Sequence, residues 1–390
     1  MPPYLHHGSV PRKRHTALRR EGGHRGEGIY YEEVITTGGF GRAYSIVYHL
    51  RPPTRVLSVE SAGSLEIATA EQSTLRHHHL KTAAIPRAGD IITGRVSLLT
   101  NKDVTISRCR PAVTQKELYR NASADEIVFI HRGQGVLRSM FGTVAFRPFD
   151  YLVIPTCTTY HLDFDNLSEA PDLLIIEAAG SVTVPSRYLN PDGQLKLGAP
   201  YYERDLRGPQ TLETIDREEP TTVVIRDGLR LSRYTLASHP FDVVGWDGMA
   251  YPFAFSADDF EPITGTIHQP PPVQQTFEAP GFVVCTFAPR MLDTHPDAIK
   301  VPYAHSNVQA DEVLYYVRGR FGSRRGIEEA SITVHPRGVP HGPHPGTIVA
   351  SRDLTWTDEL AVMVDTFEPL LPTVAAMKLD DPTYPMSWLD

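Results

Sequence analysis

The sequence predicts an all-β protein built from two sandwich or jelly-roll barrels with few short helices. Short segments of alternating apolar and polar residues recur between turn residues, and few stretches follow the 3.6-residue period of a helix. The 33 prolines and 29 glycines fit a protein with many turns, and 390 residues fit two all-β domains. The segments predicted as strands are 43–49, 126–130, 135–139, 151–154, 221–225, 281–287 and 312–317.

A weak internal repeat supports the two barrels. The matched landmarks have equal spacing in both copies: Glu126 to Gly133 with Glu312 to Gly319, and Pro155 to Tyr160 with Pro336 to His341. The first copy has Tyr119 where the second has His305, and its His161 comes one position late. We therefore expect residues 1–260 to form a degenerate, metal-free barrel with an N-terminal arm, and residues 261–390 to form the metal-binding barrel.

Proline marks two further segments of the second half. A Pro-rich passage at 261–272 marks the entry to the second barrel. The best candidate for a helix is 368–377, although Pro369 and Pro372 interrupt it.

The charge balance excludes a general role in binding nucleic acid or anionic membranes. The 38 basic and 46 acidic residues are spread along the chain and give a net charge of -8. We interpret the one basic run, Arg12 to Arg20, as a solvated N-terminal arm in preference to a nucleic-acid contact. Three cysteines without a close pair predict no disulfide framework, and no run approaches the ~18 apolar residues of a membrane span. We expect a cytoplasmic protein.

Two sequence motifs of the second half bring together His305, Glu312 and His341. The segment 302–307, followed by Glu312 and Gly319, fits the first motif of the cupin superfamily, with Asn307 in place of its second histidine. The segment 336–341 fits the second motif, Pro-x-Gly-x-x-His. On a straight strand His305 and Glu312 would lie about 23 Å apart on opposite faces, so we expect a hairpin turn between them at 307–311.

These residue types indicate a metal with open coordination positions. Two imidazoles and one carboxylate on three sides of a metal form the facial arrangement associated with non-haem Fe(II), which binds substrate and O2 together. Zinc would satisfy the same ligands, but a structural zinc site normally has four, and no cysteine lies near these three residues. The alternative is three polar turn residues without a metal, and two motifs met together favour the metal.

Further segments match one known family in combination. They are 240–248, 287–290, 302–307, 318–319, and His335 placed six residues before 341–343. With these segments the chain resembles the homogentisate 1,2-dioxygenase family. The first half agrees mainly in length, strand pattern and the segment 11–15, and the chain is shorter than the longer members.

The resemblance implies that His305, Glu312 and His341 are ligands of Fe(II). It also places His268 at the family's active-site histidine that contacts the ring hydroxyl. That role is chemically sensible because an imidazole takes and returns a phenolic proton near neutral pH. The alternative for His268 is a loop histidine without a role. The family resemblance also implies a homo-oligomer based on trimers, up to a hexamer.

His335 is the second residue that we select as catalytic. Alternation places Ser331, Thr333 and His335 on one strand face, which either turns into the barrel beside the metal or faces solvent. Tyr303 matches a family position and either lines the substrate pocket or packs in the core.

One departure from the family concerns the acid group of the substrate. Phe321 stands where well-known members carry a tyrosine thought to meet the substrate carboxylate. Carboxylate recognition then falls to Arg324 or Arg325, whose alternative is a solvated turn. We select Tyr303, Phe321, Arg324 and the ligand His341 as substrate-binding residues.

Other histidines carry weaker signals. The run His77 to His79 alternates between strand faces and does not easily converge on one ion. His344 lies either at the pocket mouth or in a surface loop.

The sequence therefore predicts an Fe(II)-dependent ring-cleaving dioxygenase that inserts both atoms of O2 into homogentisate. The family resemblance implies that the product is maleylacetoacetate and that the reaction belongs to the catabolism of tyrosine and phenylalanine. Two alternatives stay open. One is ring cleavage of another hydroquinone or aminophenol acid, and the other is a non-catalytic two-barrel binding protein.

Overall fold

The prediction of an all-β protein is confirmed by a computed structural model, which describes residues 2–20, 28–322 and 324–389. The strands of the first two thirds are β1 Leu5–Gly8, β2 Tyr31–Thr36, β3 Tyr44–His49, β4 Val56–Ser64, β5 His78–Leu80, β6 Arg95–Thr100, β7 Val104–Cys109, β8 Leu118–Asn121, β9 Asp125–Arg132, β10 Gly135–Ser139, β11 Gly142–Phe146, β12 Asp150–Ile154, β13 Thr159–Phe164, β14 Asp172–Ala178, β15 Thr221–Asp227, β16 Arg230–Leu236, β17 Val243–Gly248 and β18 Phe253–Ser256.

The last third contains eight further strands and two short α-helices. The strands are β19 Gln275–Ala279, β20 Phe282–Phe287, β21 Arg290–Met291, β22 Asp311–Arg318, β23 Ile332–His335, β24 Trp356–Thr357, β25 Leu360–Thr366 and β26 Leu371–Pro372. The helices are α1 Thr347–Ala350 and α2 Val374–Met377. Short 3-10 turns lie at Thr82–Ala84, Leu167–Glu169, Ser186–Tyr188, Glu203–Asp205, Ala257–Asp259, Pro271–Gln274 and Tyr384–Met386.

Each of the seven predicted strands coincides with an observed strand to within two residues at either end. They are β3, β9, β10, β12, β15, β20 and β22. The prediction of a helix over 368–377 is wrong for most of its length, since only Val374–Met377 is helical and β26 occupies 371–372. The physical reason is Pro369 and Pro372, which lack the amide hydrogen that a helix interior needs.

The first barrel consists of two facing seven-stranded sheets. One has the order β11-β10-β13-β8-β15-β16-β4 and the other β18-β12-β9-β14-β7-β6-β26. Alternate residues of their strands, such as Val128 and Ile130 of β9 with Leu173 and Ile175 of β14, fill the space between the sheets. This packing confirms the sandwich architecture predicted for the first half.

A four-stranded sheet, β1-β17-β3-β2, packs on the first barrel. Trp246 of β17 is fully buried there and lies edge-on to Phe141, with 5.1 Å between ring centroids. Its indole N–H donates to the Phe141 carbonyl at 2.8 Å, so the one polar atom of this large side chain is satisfied.

The second barrel is built on a six-stranded sheet with the order β19-β20-β25-β22-β23-β5. One face of this sheet packs on the first barrel, so that Val313, Tyr315 and Val362 share one core with Phe129 and Tyr151. Because neighbouring residues of a strand point to opposite faces, Glu312, Leu314 and Tyr316 of β22 lie on the other face. That second face carries the candidate site.

Two short strands connect the halves of the chain. From the first half, β5 forms the edge of the six-stranded sheet by pairing with β23. From the second half, β26 pairs with β6 in a sheet of the first barrel. The division of the chain at residue 261 stays a prediction, and these two strands cross it.

The helices of the described ranges are all short. None has the length and apolar character that a crossing of a lipid bilayer requires.

Candidate metal centre and its pocket

His305, Glu312 and His341 meet on the open face of the six-stranded sheet. One ligand atom of each residue lies within 4.8 Å of the others, and no second such group occurs among the described residues. His305 Nε2 is 3.6 Å from Glu312 Oε2, and His341 Nε2 is 3.4 Å from Glu312 Oε1. The structure thus brings together the three residues that the two motifs selected.

The backbone between the ligands differs in one respect from the expected hairpin. The chain bends between His305 and Asp311 as predicted, but His305 does not pair with β22. It pairs with His341 instead: the His305 N–H donates to the His341 carbonyl at 2.8 Å, and the reverse bond measures 2.9 Å. This reciprocal pair holds the two imidazoles side by side, 4.3 Å apart between ring centroids.

The donor set fits a divalent metal. The Nδ1 atoms of His305 and His341 each lie 3.2 Å from a backbone carbonyl, which only accepts, so both rings carry their proton on Nδ1. Both Nε2 atoms are then bare acceptors facing a carboxylate. His341 Nε2 is buried without a hydrogen-bond partner. Acceptors that face each other in a buried place need a cation between them, and a metal ion would satisfy all three.

His335 and Tyr384 hold the carboxylate of Glu312 from behind. His335 Nδ1 lies 2.7 Å from Glu312 Oε1, and because an ionised carboxylate only accepts, Nδ1 carries the proton. The Tyr384 hydroxyl then donates to His335 Nε2 at 3.1 Å. Ser331, Thr333 and His335 are all buried, so the alternative of a solvent-facing strand is wrong.

The electrostatics of these hydrogen-bonded side chains favour an ionised Glu312 beside a neutral His335. Burial alone would raise the pKa of Glu312, but the imidazoles of His305, His335 and His341 around it hold that pKa well below its usual range. Burial lowers the pKa of His335 to about 3. At neutral pH Glu312 is therefore a carboxylate that accepts from an uncharged imidazole.

Asp365 is a site residue that the sequence analysis did not select. It lies opposite Glu312 in the register of β25 and β22, and its Oδ1 is buried without a hydrogen-bond partner. Burial and the charge of Glu312 raise its pKa to about 7. The missed signal was alternation: Ala361 and Met363 of the same strand line the pocket, and Asp365 continues that face.

A cleft beside the metal centre has a volume of about 1060 Å3, including its open mouth. His305 and Glu312 form part of its wall, and Leu314, Phe287 and Met363 supply apolar surface. Small-molecule sites commonly combine such a mainly apolar cavity with a few convergent polar groups.

His268 lines this cleft, so the structure places it near the ligands. Its Nδ1 lies 2.6 Å from Asp293 Oδ2, and its ring contacts Tyr303 at 5.1 Å between centroids. Tyr303 is 52% exposed, so its alternative of core packing is wrong. It does not line the cleft, and its ring lies between those of His268 and His305.

The structure separates the two arginines considered for carboxylate binding. Arg324 is half-buried and lines the cleft, and its Nη1 donates to the Gly342 carbonyl at 2.5 Å. Arg325 is exposed and does not line it. Phe321 also lines the cleft, packed against Tyr316 with 4.6 Å between ring centroids.

The histidines at 77–79 and His344 have hydrogen-bond or ring contacts of their own. His77 lies 5.3 Å from His335 between ring centroids, His78 bonds Asp380, and His79 bonds Ser331. These three side chains have different partners. His344 is 1% exposed and bonds Ser387. Both locations predicted for it, the pocket mouth and a surface loop, are therefore wrong.

In the first barrel, a guanidinium lies among the counterparts of the metal ligands. Arg95 of β6 pairs with Glu126, which matches Glu312 in the internal repeat. Its Nη2 donates to the hydroxyl of Tyr160, the match of His341, at 3.3 Å, and its guanidinium lies 5.2 Å from the ring of Tyr119, the match of His305. A permanent cation of the protein thus occupies the place that a metal would take in the second barrel.

Fold and site together define a two-barrel protein of the cupin class, with two histidines and one glutamate on the open face of its second barrel. The chain belongs to the same family as the putative dioxygenase SSO1533 of Saccharolobus solfataricus. The two are 42% identical over 388 residues, which cover 99% of this chain and 98% of that protein.

Homogentisate 1,2-dioxygenases are more distant relatives. The enzyme of Bradyrhizobium diazoefficiens is 23% identical over 58% of this chain and 50% of its own length, and that of Rhodopseudomonas palustris is 24% identical over 56% and 49%. The match therefore spans about half the length of these curated relatives. No family model matches the chain.

Solved structures show a weaker likeness. A cupin 2 conserved barrel domain protein from Leptotrichia buccalis has a TM-score of 0.37 and 9% identity, covering 78% of this chain and all of that one. A putative glyoxylate-induced protein from Pseudomonas aeruginosa has a TM-score of 0.35 and 10% identity, covering 81% of this chain and 97% of that one. Such scores indicate only a general likeness of shape.

Proposed function

We propose that this chain is an Fe(II)-dependent dioxygenase that opens the aromatic ring of a hydroquinone acid, with homogentisate as the first candidate substrate and maleylacetoacetate as the product. The observation that carries the proposal is the convergence of His305, Glu312 and His341 within 4.8 Å beside a cleft large enough for an aromatic acid. The distant likeness to homogentisate dioxygenases supports the choice of substrate.

The three ligands would hold the metal from one side and leave the cleft side open. The chemistry that Fe(II) supplies in such a site is the activation of O2 next to a bound phenolate. The ligand set alone does not select iron over zinc, so iron rests on the family and on the reaction that its members perform.

The protein's own residues would prepare the substrate. His268 would take the proton of a ring hydroxyl and later return it, because its side chain lines the cleft within reach of a bound ring. Leu314, Phe321 and Met363 would flank the ring and exclude water. Tyr303 would close the rim above it, and His341 would border the substrate as a ligand.

The location of His335 does not match the catalytic role that we expected for it. It does not line the cleft, and it bonds Glu312 and Tyr384 instead. We therefore infer that His335 is a positioning residue for the glutamate.

The metal and the substrate are tested in one experiment. The purified protein is reconstituted anaerobically with Fe(II), analysed for bound metal, and then assayed in an oxygen electrode with homogentisate, gentisate and hydroquinone. We expect about one iron per chain and one O2 consumed per homogentisate, with both lost in the Glu312→Gln variant because the carboxylate ligand is gone.

Each alternative gives a distinct result in that assay. Stoichiometric iron with turnover of gentisate alone would keep ring cleavage and change the substrate. Absence of stoichiometric iron would overturn the enzyme proposal and favour a two-barrel binding protein. A cytoplasmic location and a trimer-based homo-oligomer stay predictions.

Arg324 is the residue that we propose for the acid group of the substrate. A guanidinium at the wall of a partly apolar cleft pairs well with a carboxylate. In Arg324→Met we expect KM for homogentisate to rise about 30-fold, whereas KM for methylhydroquinone, which lacks the acid, changes little. Arg325→Met serves as the matched control because Arg325 is exposed outside the cleft. Equal losses for both substrates would show that Arg324 supports the cleft and does not read the acid.

A further inference from the structure

A carboxylate partners the histidine on one wall of the cleft. Asp293 Oδ2 lies 2.6 Å from His268 Nδ1, and both residues line the cleft. The side chain of Asp293 is 15% exposed, compared with 40% for His268. The carboxylate is therefore the less exposed partner of this pair.

The fold fixes this carboxylate before any substrate binds. Asp293 follows β21, which is paired with β24, and the Leu292 amide extends that pairing by donating to the Thr355 carbonyl at 2.9 Å. On the other side of Asp293, the Thr294 amide donates to the Gly265 carbonyl at 2.9 Å. This bond ties the Asp293 segment to the loop that carries His268.

Lys300 further restrains the segment that contains Asp293. The ammonium of Lys300, which also lines the cleft, donates to the backbone carbonyl of Asp293. The orientation of the Asp293 carboxylate thus depends on backbone contacts to both sides of it and on one side chain.

The partner determines which ring nitrogen of His268 carries the proton. An ionised carboxylate only accepts, so the short bond requires the proton on Nδ1 and leaves Nε2 as a bare acceptor. A base that takes a proton through Nε2 needs this tautomer. The carboxylate also stabilises the imidazolium that forms when the proton arrives.

We propose that Asp293 is a positioning residue that fixes the tautomer of His268 and stabilises its protonated form during the reaction. In the step concerned, the O–H bond of a ring hydroxyl breaks, an N–H bond forms at His268 Nε2, and the electron pair stays on the oxygen. No oxidant or reductant takes part. The inference rests on the proposed function for the identity of the substrate. The tautomer of His268 is independent of the substrate.

The substitution Asp293→Asn tests the proposal with two readouts. In the full chain labelled with 15N-histidine, nitrogen chemical shifts report the tautomer of His268, assigned by comparison with His268→Gln. We expect the Nδ1–H form in the wild type. In Asp293→Asn the amide donates to Nδ1, so we expect the Nε2–H form. With homogentisate we expect kcat to fall about 100-fold while KM changes less than about threefold.

Two further variants separate positioning from folding. Asp297→Asn makes the same chemical change at an exposed residue outside the cleft and should change neither readout. Asp293→Glu keeps the carboxylate and should restore the Nδ1–H tautomer with part of kcat. If Asp293→Asn unfolds, Asp293→Glu keeps the proposal testable, because loss of the Nδ1–H tautomer in a folded variant that retains the carboxylate would overturn it.

The outcomes keep this inference distinct from the proposed function. An unchanged tautomer in Asp293→Asn would overturn the inference even if the wild type cleaves homogentisate. A wild type that cleaves no hydroquinone acid would overturn the proposed function, while the nitrogen shifts would still decide whether Asp293 sets the tautomer. A fall in kcat with an unchanged tautomer also counts against the inference.

Discussion

His335 shows how one buried side chain controls a ligand without touching the cleft. It has no exposed surface, and it connects the Tyr384 hydroxyl to Glu312 Oε1. Partners of this kind fix the orientation of a ligand, and their loss typically lowers metal affinity by about 10-fold to 100-fold.

The variant His335→Phe removes both hydrogen bonds and keeps a ring in the buried place. We expect its Fe(II) affinity, measured by competition with a chromophoric chelator, to fall about 30-fold. The control is His79→Gln, which changes a buried histidine of the neighbouring strand that bonds Ser331 and not Glu312. Equal affinities of His335→Phe and wild type would show that Glu312 needs no support from behind.

At the scale of elements, the first barrel places a salt-bridge network where the second has its metal centre. Arg95 on β6 pairs with Glu126 on β9 and, at 3.1 Å, with Glu177 on β14. All three side chains are buried, so each charge depends on its partners. The network joins three strands of one sheet through their side chains.

Removal of Arg95 alone should therefore be costly. We expect Arg95→Met to lower the free energy of unfolding by about 3 to 5 kcal/mol, because Glu126 is left as a buried, uncompensated charge. Adding Glu126→Gln should recover part of that loss. Urea denaturation of both single variants and the double variant gives the coupling. Additive effects of the two substitutions would contradict the network.

The four-stranded sheet contains a titratable group that makes stability depend on pH. His49 of β3 is buried between Glu33 of β2 and Asp242, at 3.0 Å and 2.7 Å. Burial alone would lower its pKa, but hydrogen bonds to Asp242 and Glu33 raise it to about 9 from 6.5. The protonated imidazole thus stabilises the pairing of these strands.

The sign of the pH dependence follows from a pKa that is raised on folding. The stabilisation is fully present below about pH 6.5 and is lost as the pH rises through 9. We expect the free energy of unfolding to fall by on the order of 3 kcal/mol across this window, and the fall to be much smaller in His49→Gln. Parallel curves for the two proteins in urea titrations from pH 6 to 9.5 would exclude His49 as the cause.

At the scale of the whole molecule, the two barrels share one hydrophobic core. Tyr315 of β22 lies 6.4 Å from Phe129 of β9 between ring centroids, and its hydroxyl bonds His131 at 2.6 Å. The exchange of β5 and β26 adds backbone hydrogen bonds between the halves. Neither barrel keeps its core or its sheet edge intact without the other.

We therefore expect the halves to unfold together. In hydrogen exchange measured at increasing urea concentration, peptides that cover β9 and β22 should lose protection with the same midpoint. The exposed loop around Ile267 serves as the internal control and should exchange early, because its surroundings are open. Loss of protection in β22 while β9 stays protected would show two independent units.

The sequence predicted the fold class, and its motifs selected three residues that the structure brings together, because both depend on local patterns. Strands such as β10 and β12 show in the alternation of their own residues. His305, Glu312 and His341 stand in two motifs whose spacing needs no knowledge of the fold. The helix at 368–377 was the exception, since a short helix next to two prolines lacks a clear period.

The sequence by itself thus determined an all-β protein with three candidate ligands in its second half. Only the tertiary structure decided what surrounds them. Asp365 faces Glu312 through the register of two strands, Asp293 reaches His268 through the pairing of β21 with β24, and Arg95 lies among the first barrel's counterparts of the ligands. These contacts join residues far apart in the chain, and they follow from strand pairing and packing, which no local pattern specifies.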